Sequence, residues 1–286
     1  MTFAVWNAIA FVLYLAAAVC NGAVLFLRAP DAPTLTPDDR SGGRVARLGR
    51  PLLMTGLLAQ FAAIGAWCLT THHSPFASAY GTLAVLAWII VLAYVLADLH
   101  GRLPVVGAIA LLVACVTLFL GSLHARNGLA NAAFLNSQMV SLHVLTILAS
   151  FALFALAFGC AALYLVQNRM LKARHMQASA RRLPSLATLD TVAYHSVAYA
   201  LPLLTLGLAL GIAYIYSGAV TTPPARWFSD PHTLLSYAIW GLYVAYLAAR
   251  LGLGWRGVRL QYILLAGLIL ALAVYALPTS THRFTP

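Results

Sequence analysis

Nine histidines, set against six Asp and no Glu, carry most of the chemistry this chain can do. Neutral imidazole ligates metal ions and haem iron. It is also an ordinary interfacial residue, so depth and company must decide among the nine. His143 stands in Ser141-Leu142-His143-Val144, at the start of a long apolar run. His232 ends the stretch Trp227-Phe228-Ser229-Asp230-Pro231-His232, and His282 lies near the C-terminus beside Arg283. Trp227 and Phe228 read either as interfacial aromatic anchors or as the apolar shelf a haem site needs, with Arg226, Arg126 or Arg283 to meet its propionates. Asp230-Pro231 has the form of a helix start, Asp capping and Pro in the first turn. Nothing pairs a Ser or Cys with a positioned His and carboxylate, and no two carboxylates face one another, so a non-enzyme is expected. Cys20, Cys68, Cys115 and Cys160 fall in four different apolar runs, without CxxC or CxxCH spacing. They read as small apolar side chains rather than as a disulfide framework, a zinc site or a haem attachment site.

The elements that must position these groups are set by composition. Hydrophobic residues make up 62% of the 286 and charged residues 8%, against roughly 25% charged in an ordinary soluble domain. Lipid is the solvent that fits, and the expected fold is all-α: a polytopic integral membrane protein forming one membrane domain over 1–286. At about 20 apolar residues per span, eight transmembrane helices are predicted, near 3–27, 51–71, 77–98, 104–123, 139–166, 191–217, 233–250 and 259–278. Four of them occupy 1–138 and four occupy 139–286. The first run is too long for a signal-peptide core and has no basic segment before it, so it is counted as a span. The connections 28–50 and 167–190 are long and polar, and 29–43 has the composition of a flexible loop.

The net charge of +11 does not indicate nucleic acid, because the basic residues sit in connections between apolar runs rather than on one polar face. Of the 17 Lys and Arg, all except Arg126, Arg226 and Arg283 fall after odd-numbered spans. The positive-inside rule then puts both termini on the outer face, and the basic inner loops are expected to contact anionic lipid. This topology places His143, His232 and His282 near the outer face, with His72, His73 and His124. His100, His175 and His195 fall near the inner face. A core about 30 Å thick separates the two groups, so His195 cannot share an iron with His143.

From residue 189 the sequence resembles the cytochrome c assembly (CcsA/CcmC/HemX-like) family, whose sixth-span motif reads "LD…GF-x-LLT-x-G-x-x-x-G-x-x-W". Here that motif is carried by Leu189-Asp190, Leu203-Leu204-Thr205-Leu206-Gly207 and Gly211. Trp227 to Pro231 resembles a reduced form of the family's W-x-W-D-P-K segment. Trp240, Tyr246, Arg250 and Gly254-Trp255-Arg256-Gly257 match its "TW…Y…R…GWRG" stretch. His143 occupies the place of the family's outer His before a span, and His282 falls where a second follows the last one. Ser229 replaces the loop's second Trp, Tyr214 the Trp ending the sixth span, and Ala248 the His of "YLH-x-R". The compact YpjD-like members are the most similar in the segment Pro231 to Ser236.

The resemblance implies a haem-handling protein of a bacterial inner membrane that assists cytochrome c assembly. Haem b would be held at a periplasm-facing site with its iron on His143 and His282, His232 in reserve, and Trp227, Asp230 and Pro231 around it. An apocytochrome or another membrane assembly protein would be its partner. Two other readings stand beside this one. A structural or regulatory partner could keep the fold without haem. A secondary transporter is disfavoured by the lack of a mid-membrane carboxylate.

Overall fold

The structure, a computed structural model, describes residues 2–27, 42–101, 103–123, 137–173, 183–218 and 223–276, and all regular structure within them is helical. The helices are α1 (Thr2–Leu27), α2 (Gly42–Thr71), α3 (Ala79–Gly101), α4 (Pro104–Leu123), α5 (Gln138–Lys172), α6 (Leu186–Tyr216), α7 (Pro224–Phe228), α8 (Pro231–Leu251) and α9 (Val258–Ala276). Seven of them, α1 to α6 and α8, are long and apolar enough to cross a bilayer. The chain is thus a multi-pass membrane protein by length and composition. α9 coincides with the eighth expected span, but only its stretch Val258–Ala271 enters that comparison, and this is shorter than the rest.

The helix ends depart from the expected spans. α2 begins at Gly42, so residues 42–50, expected in the connection 28–50, are helical, and Pro51 lies inside the helix. Lacking an N–H, Pro51 reads as a helix start; an arginine-rich segment precedes it and continues the same helix. α5 has 35 residues and α6 has 31, about 50 and 46 Å at 1.5 Å per residue. Both extend well beyond a 30 Å core. Apolarity marks the part of a helix that lies in lipid, whereas hydrogen bonding continues into its polar ends.

α1 to α4 pack on one another, with α1 against both α2 and α4 and α3 against both α4 and α2. α5 touches α3 and α4 on one side and α6 and α9 on the other, while α8 packs on α9 and α6. Two interior side chains of the N-terminal helices are tied across the α2–α3 seam. Gln60, fully buried, donates from Nε2 to the Ala84 carbonyl at 2.8 Å, and Trp88 donates to the Leu57 carbonyl at 3.1 Å. Large apolar side chains such as Leu58, Phe61, Val116, Phe119 and Ile269 are exposed, as lipid-facing residues are.

Small residues set the closest approaches. Tyr243 stacks on Phe154 with ring centroids 3.7 Å apart. Its hydroxyl lies against Gly267, where an added Cβ would stand 2.5 Å from it. α8 is thereby keyed into both α5 and α9.

Candidate functional site

The end of the bundle that carries His143 also carries the turn between α2 and α3, the α6 C-terminus, α7 and the α8 N-terminus. Ser74 caps the turn Pro75–Ala77 and accepts a hydrogen bond from Ser141 of α5 at 3.4 Å. Val140 and Ala77 are buried there with Val144 and Tyr214 packed on them. Tyr214, standing where the motif has Trp, therefore helps to hold the start of α5.

His143 is the most firmly placed of the candidate ligands. Its ring lies across the α5–α6 seam with Nδ1 2.7 Å from the carbonyl oxygen of Gly207. A Cβ on Gly211, one turn further along α6, would stand 2.8 Å from Cε1 and 3.0 Å from Nδ1. On the same face a Cβ on Gly207 would meet Ile147 Cδ1 at 2.6 Å and Thr146 Oγ1 at 2.9 Å. The Gly-xxx-Gly spacing thus brings the two backbones close and leaves room for an imidazole beside them. A carbonyl oxygen only accepts, so Nδ1 is the donor. No hydrogen bond to Nε2 is described.

Trp227, Asp230, Pro231 and His232 are brought together in one tight turn. Pro224 opens α7, the Asp230 amide donates to the Trp227 carbonyl at 3.3 Å, and the Asp230 carboxylate accepts from the His232 amide at 2.9 Å. Asp230 is the N-cap of α8 and Pro231 its first residue, the arrangement expected from their types. Trp227 is buried. Its side chain is therefore turned into the protein rather than outward. Phe228 is half-buried, with its ring 6.3 Å from that of Tyr216. Arg226 is exposed beside them. The side-chain hydrogen bond of His143 runs to α6 and not to this turn.

His282, with His124, His175, Arg126 and Arg283, lies outside the described residues. α9 nevertheless runs toward the His143 end, so the chain leaves its last described helix there. His195 is exposed on α6 with its ring 5.2 Å from Tyr194 and 6.3 Å from Tyr199, at the opposite end of the bundle. Two ligands on one iron must share a depth, so His195 is not a companion of His143. Among the described residues, His143 fits as a donor for haem iron. His143 holds its Nδ1–H toward a protein carbonyl, which leaves Nε2 to coordinate.

Two features were not legible in advance. One is the Gly207 carbonyl as partner to His143, 64 residues away in sequence. The other is a polar cluster at the far end. There Asp190 accepts from Arg250 Nη2 at 2.7 Å and from Gln261 Nε2 at 2.8 Å, and the Arg250 guanidinium lies 4.7 Å from the Tyr194 ring centroid. The motif residues Asp190 and Arg250 were the available signal, but nothing in the sequence showed that they meet. Between α8 and α9, Gly254 and Gly257 take positive φ of 65° and 79°, and Trp255 is exposed. Glycine is the residue that takes this left-handed conformation without strain.

Residues 76–280 match the family model described as Cytochrome C assembly protein. The match begins well before the motifs and stops just short of His282. Protein HemX of Brevibacillus brevis is 26% identical over 246 residues, covering 85% of this chain and 89% of that protein. Cytochrome c biogenesis protein CcsA of Synechococcus sp. (strain CC9311) is 26% identical over 280 residues, covering 86% and 88%. The protein of that name from Prochlorococcus marinus (strain MIT 9313) is 28% identical over 237 residues, covering 71% and 72%.

Proposed function

This chain belongs to the cytochrome c assembly protein family, and from that premise we propose that it handles haem during cytochrome c assembly without itself being an enzyme. Haem b is the cargo in this reading, presented at the outer face of a bacterial inner membrane to an apocytochrome or to another membrane assembly protein. The observation that carries it is the placement of His143, whose Nδ1 faces the Gly207 carbonyl at 2.7 Å while Nε2 is left to ligate. His282 is the proposed second ligand and His232, on the first turn of α8, the reserve. The Trp227–Pro231 turn walls the site, and exposed Arg226 is available to a propionate. The protein needs no nucleophile for this role, because covalent attachment to a CxxCH substrate uses the substrate's own thiols.

The same reading places both termini outside, with α9 completing eight spans. The basic residues at the Asp190 end, Arg169, Lys172, Arg256 and Arg259 among them, then meet anionic lipid at the inner face.

The experiment is a visible spectrum of the full-length protein, purified in mild detergent from haem-supplemented cells. A Soret band shifted from that of free haem and co-eluting with the protein is expected. A preparation that retains no haem would leave the alternative, a structural or regulatory partner that kept the fold. One observation favours that alternative: Ser229, in place of the loop's second Trp, only returns hydrogen bonds to the Ala225 and Arg226 carbonyls of its own helical turn.

A further inference from the structure

We propose that the Gly207 carbonyl and the bare backbone of Gly211 act together as the positioning element for His143, fixing it as the Nδ1–H tautomer with Nε2 unprotonated. The proposal extends the haem reading to residues of α6 that touch no cargo, and its first test does not require haem.

A neutral imidazole has a single N–H. The Gly207 oxygen, 2.7 Å from Nδ1, has only lone pairs to offer, so the proton sits on Nδ1 and the lone pair on Nε2. In water the histidine side chain prefers the opposite tautomer, and a fixed acceptor is what reverses that preference. The carbonyl can serve because each backbone oxygen has two lone pairs, so its helical hydrogen bond occupies only one of them. An acceptor behind a ligating imidazole also raises its basicity and holds the plane of the ring.

Gly211 supplies the space. Any side chain there begins with a Cβ 2.8 Å from Cε1 and 3.0 Å from Nδ1, closer than non-bonded carbon atoms approach. The ring must then rotate away and lose the Gly207 oxygen. Thr146 and Ile147 leave no slack, since they fill the space over Gly207 on the same α5 face. Gly207 and Gly211 share one face of α6 because they are four residues apart. The register of the two helices therefore sets the depth of His143. Gly241 on α8 provides a control, because a Cβ there meets nothing within 4 Å.

The test uses the full chain with ¹⁵N-labelled histidine, purified in detergent without haem. His143 is assigned as the signal absent from His143→Gln. Its Nδ1 is expected to be protonated and its Nε2 not, in the wild type and in Gly241→Ala alike. Gly211→Ala should lose that pattern, and on titration with haem its affinity should fall roughly 10–100-fold, the usual effect of removing an outer-shell partner. A wild-type His143 protonated on Nε2 overturns the proposal, as does a Gly211→Ala protein with unchanged tautomer and affinity. Should Gly211→Ala fail to fold, the wild-type spectrum alone decides. Should the wild type show the expected tautomer yet take up no haem, the cargo reading falls while the positioning of His143 stands.

Discussion

Asp190 of α6 and Arg250 of α8 form an ion pair with 2.7 Å between Oδ2 and Nη2, at the end of the bundle opposite His143, and their side chains are only 14% and 12% exposed. Gln261 of α9 satisfies the other carboxylate oxygen, so the pair ties three helices together at their ends. Truncating one partner leaves a mostly buried charge alone, which typically costs about 3–5 kcal/mol. Asp190→Ala and Arg250→Ala should each lower the thermal stability of the protein in detergent by that order. The double variant should lose clearly less than the sum of the two. Additive losses would show that the two groups do not interact.

Packing at Gly267 is expected to matter more than packing at Gly241, although both glycines lie within helices. A methyl at Gly267 would stand 2.5 Å from the Tyr243 hydroxyl. Tyr243 cannot withdraw without breaking its stack on Phe154. Overpacking of this kind costs about 1–3 kcal/mol. At Gly241 a methyl meets nothing, and the helix propensity of Ala over Gly favours the variant by up to about 1 kcal/mol. Melting temperatures of Gly267→Ala and Gly241→Ala should therefore move in opposite directions.

The parts of the molecule that follow from local pattern were legible before the fold was known. Apolar runs of about 20 residues became helices, and Asp230-Pro231 became a helix cap because both residues act within one turn. The starts of α2 and α6 and the end of α5 run past the expected spans because hydropathy reports contact with lipid, whereas a helix continues through polar turns as long as its backbone bonds are made. His143 stood out by type and place. Its acceptor, the Gly207 carbonyl, carries no side-chain signature and becomes a partner only once α5 and α6 are antiparallel in one register. The same holds for Asp190, Arg250 and Gln261, which three helices bring together. The burial of Trp227 likewise depends on how the α7 turn sits and is not written in its type.

The proposed topology makes a separate prediction about sidedness. With both termini outside, a reporter fused after Pro286 should be active only on the outer face, and one inserted near Ala178 only on the inner face. The basis is the Lys/Arg bias of the connections after odd-numbered spans. An inner C-terminus would remove α9 as a span or invert the whole chain. In either case His143 and the α9 exit could no longer share the outer face as proposed.

The histidines themselves give the sharpest functional prediction. If His143 and His282 ligate one iron, the purified haem complex should be low-spin, with the spectrum of two imidazole ligands. His143→Ala removes the ligand that Gly207 orients and should abolish haem retention or leave a weaker, high-spin complex. His232→Ala leaves the Asp230 cap intact, because that bond uses the His232 backbone amide. It should therefore reduce haem retention only when His282 is also replaced. His195 is exposed at the other end of α6, and His195→Ala should leave the spectrum unchanged. Spectra of the wild type and these variants, normalised to folded protein by size-exclusion chromatography, decide the assignment. A loss confined to His195→Ala would move the site to the Asp190 end of the bundle and end the case for His143. An unchanged spectrum in His143→Ala would end it too, because the Gly207 carbonyl would then be orienting a ring that holds no iron.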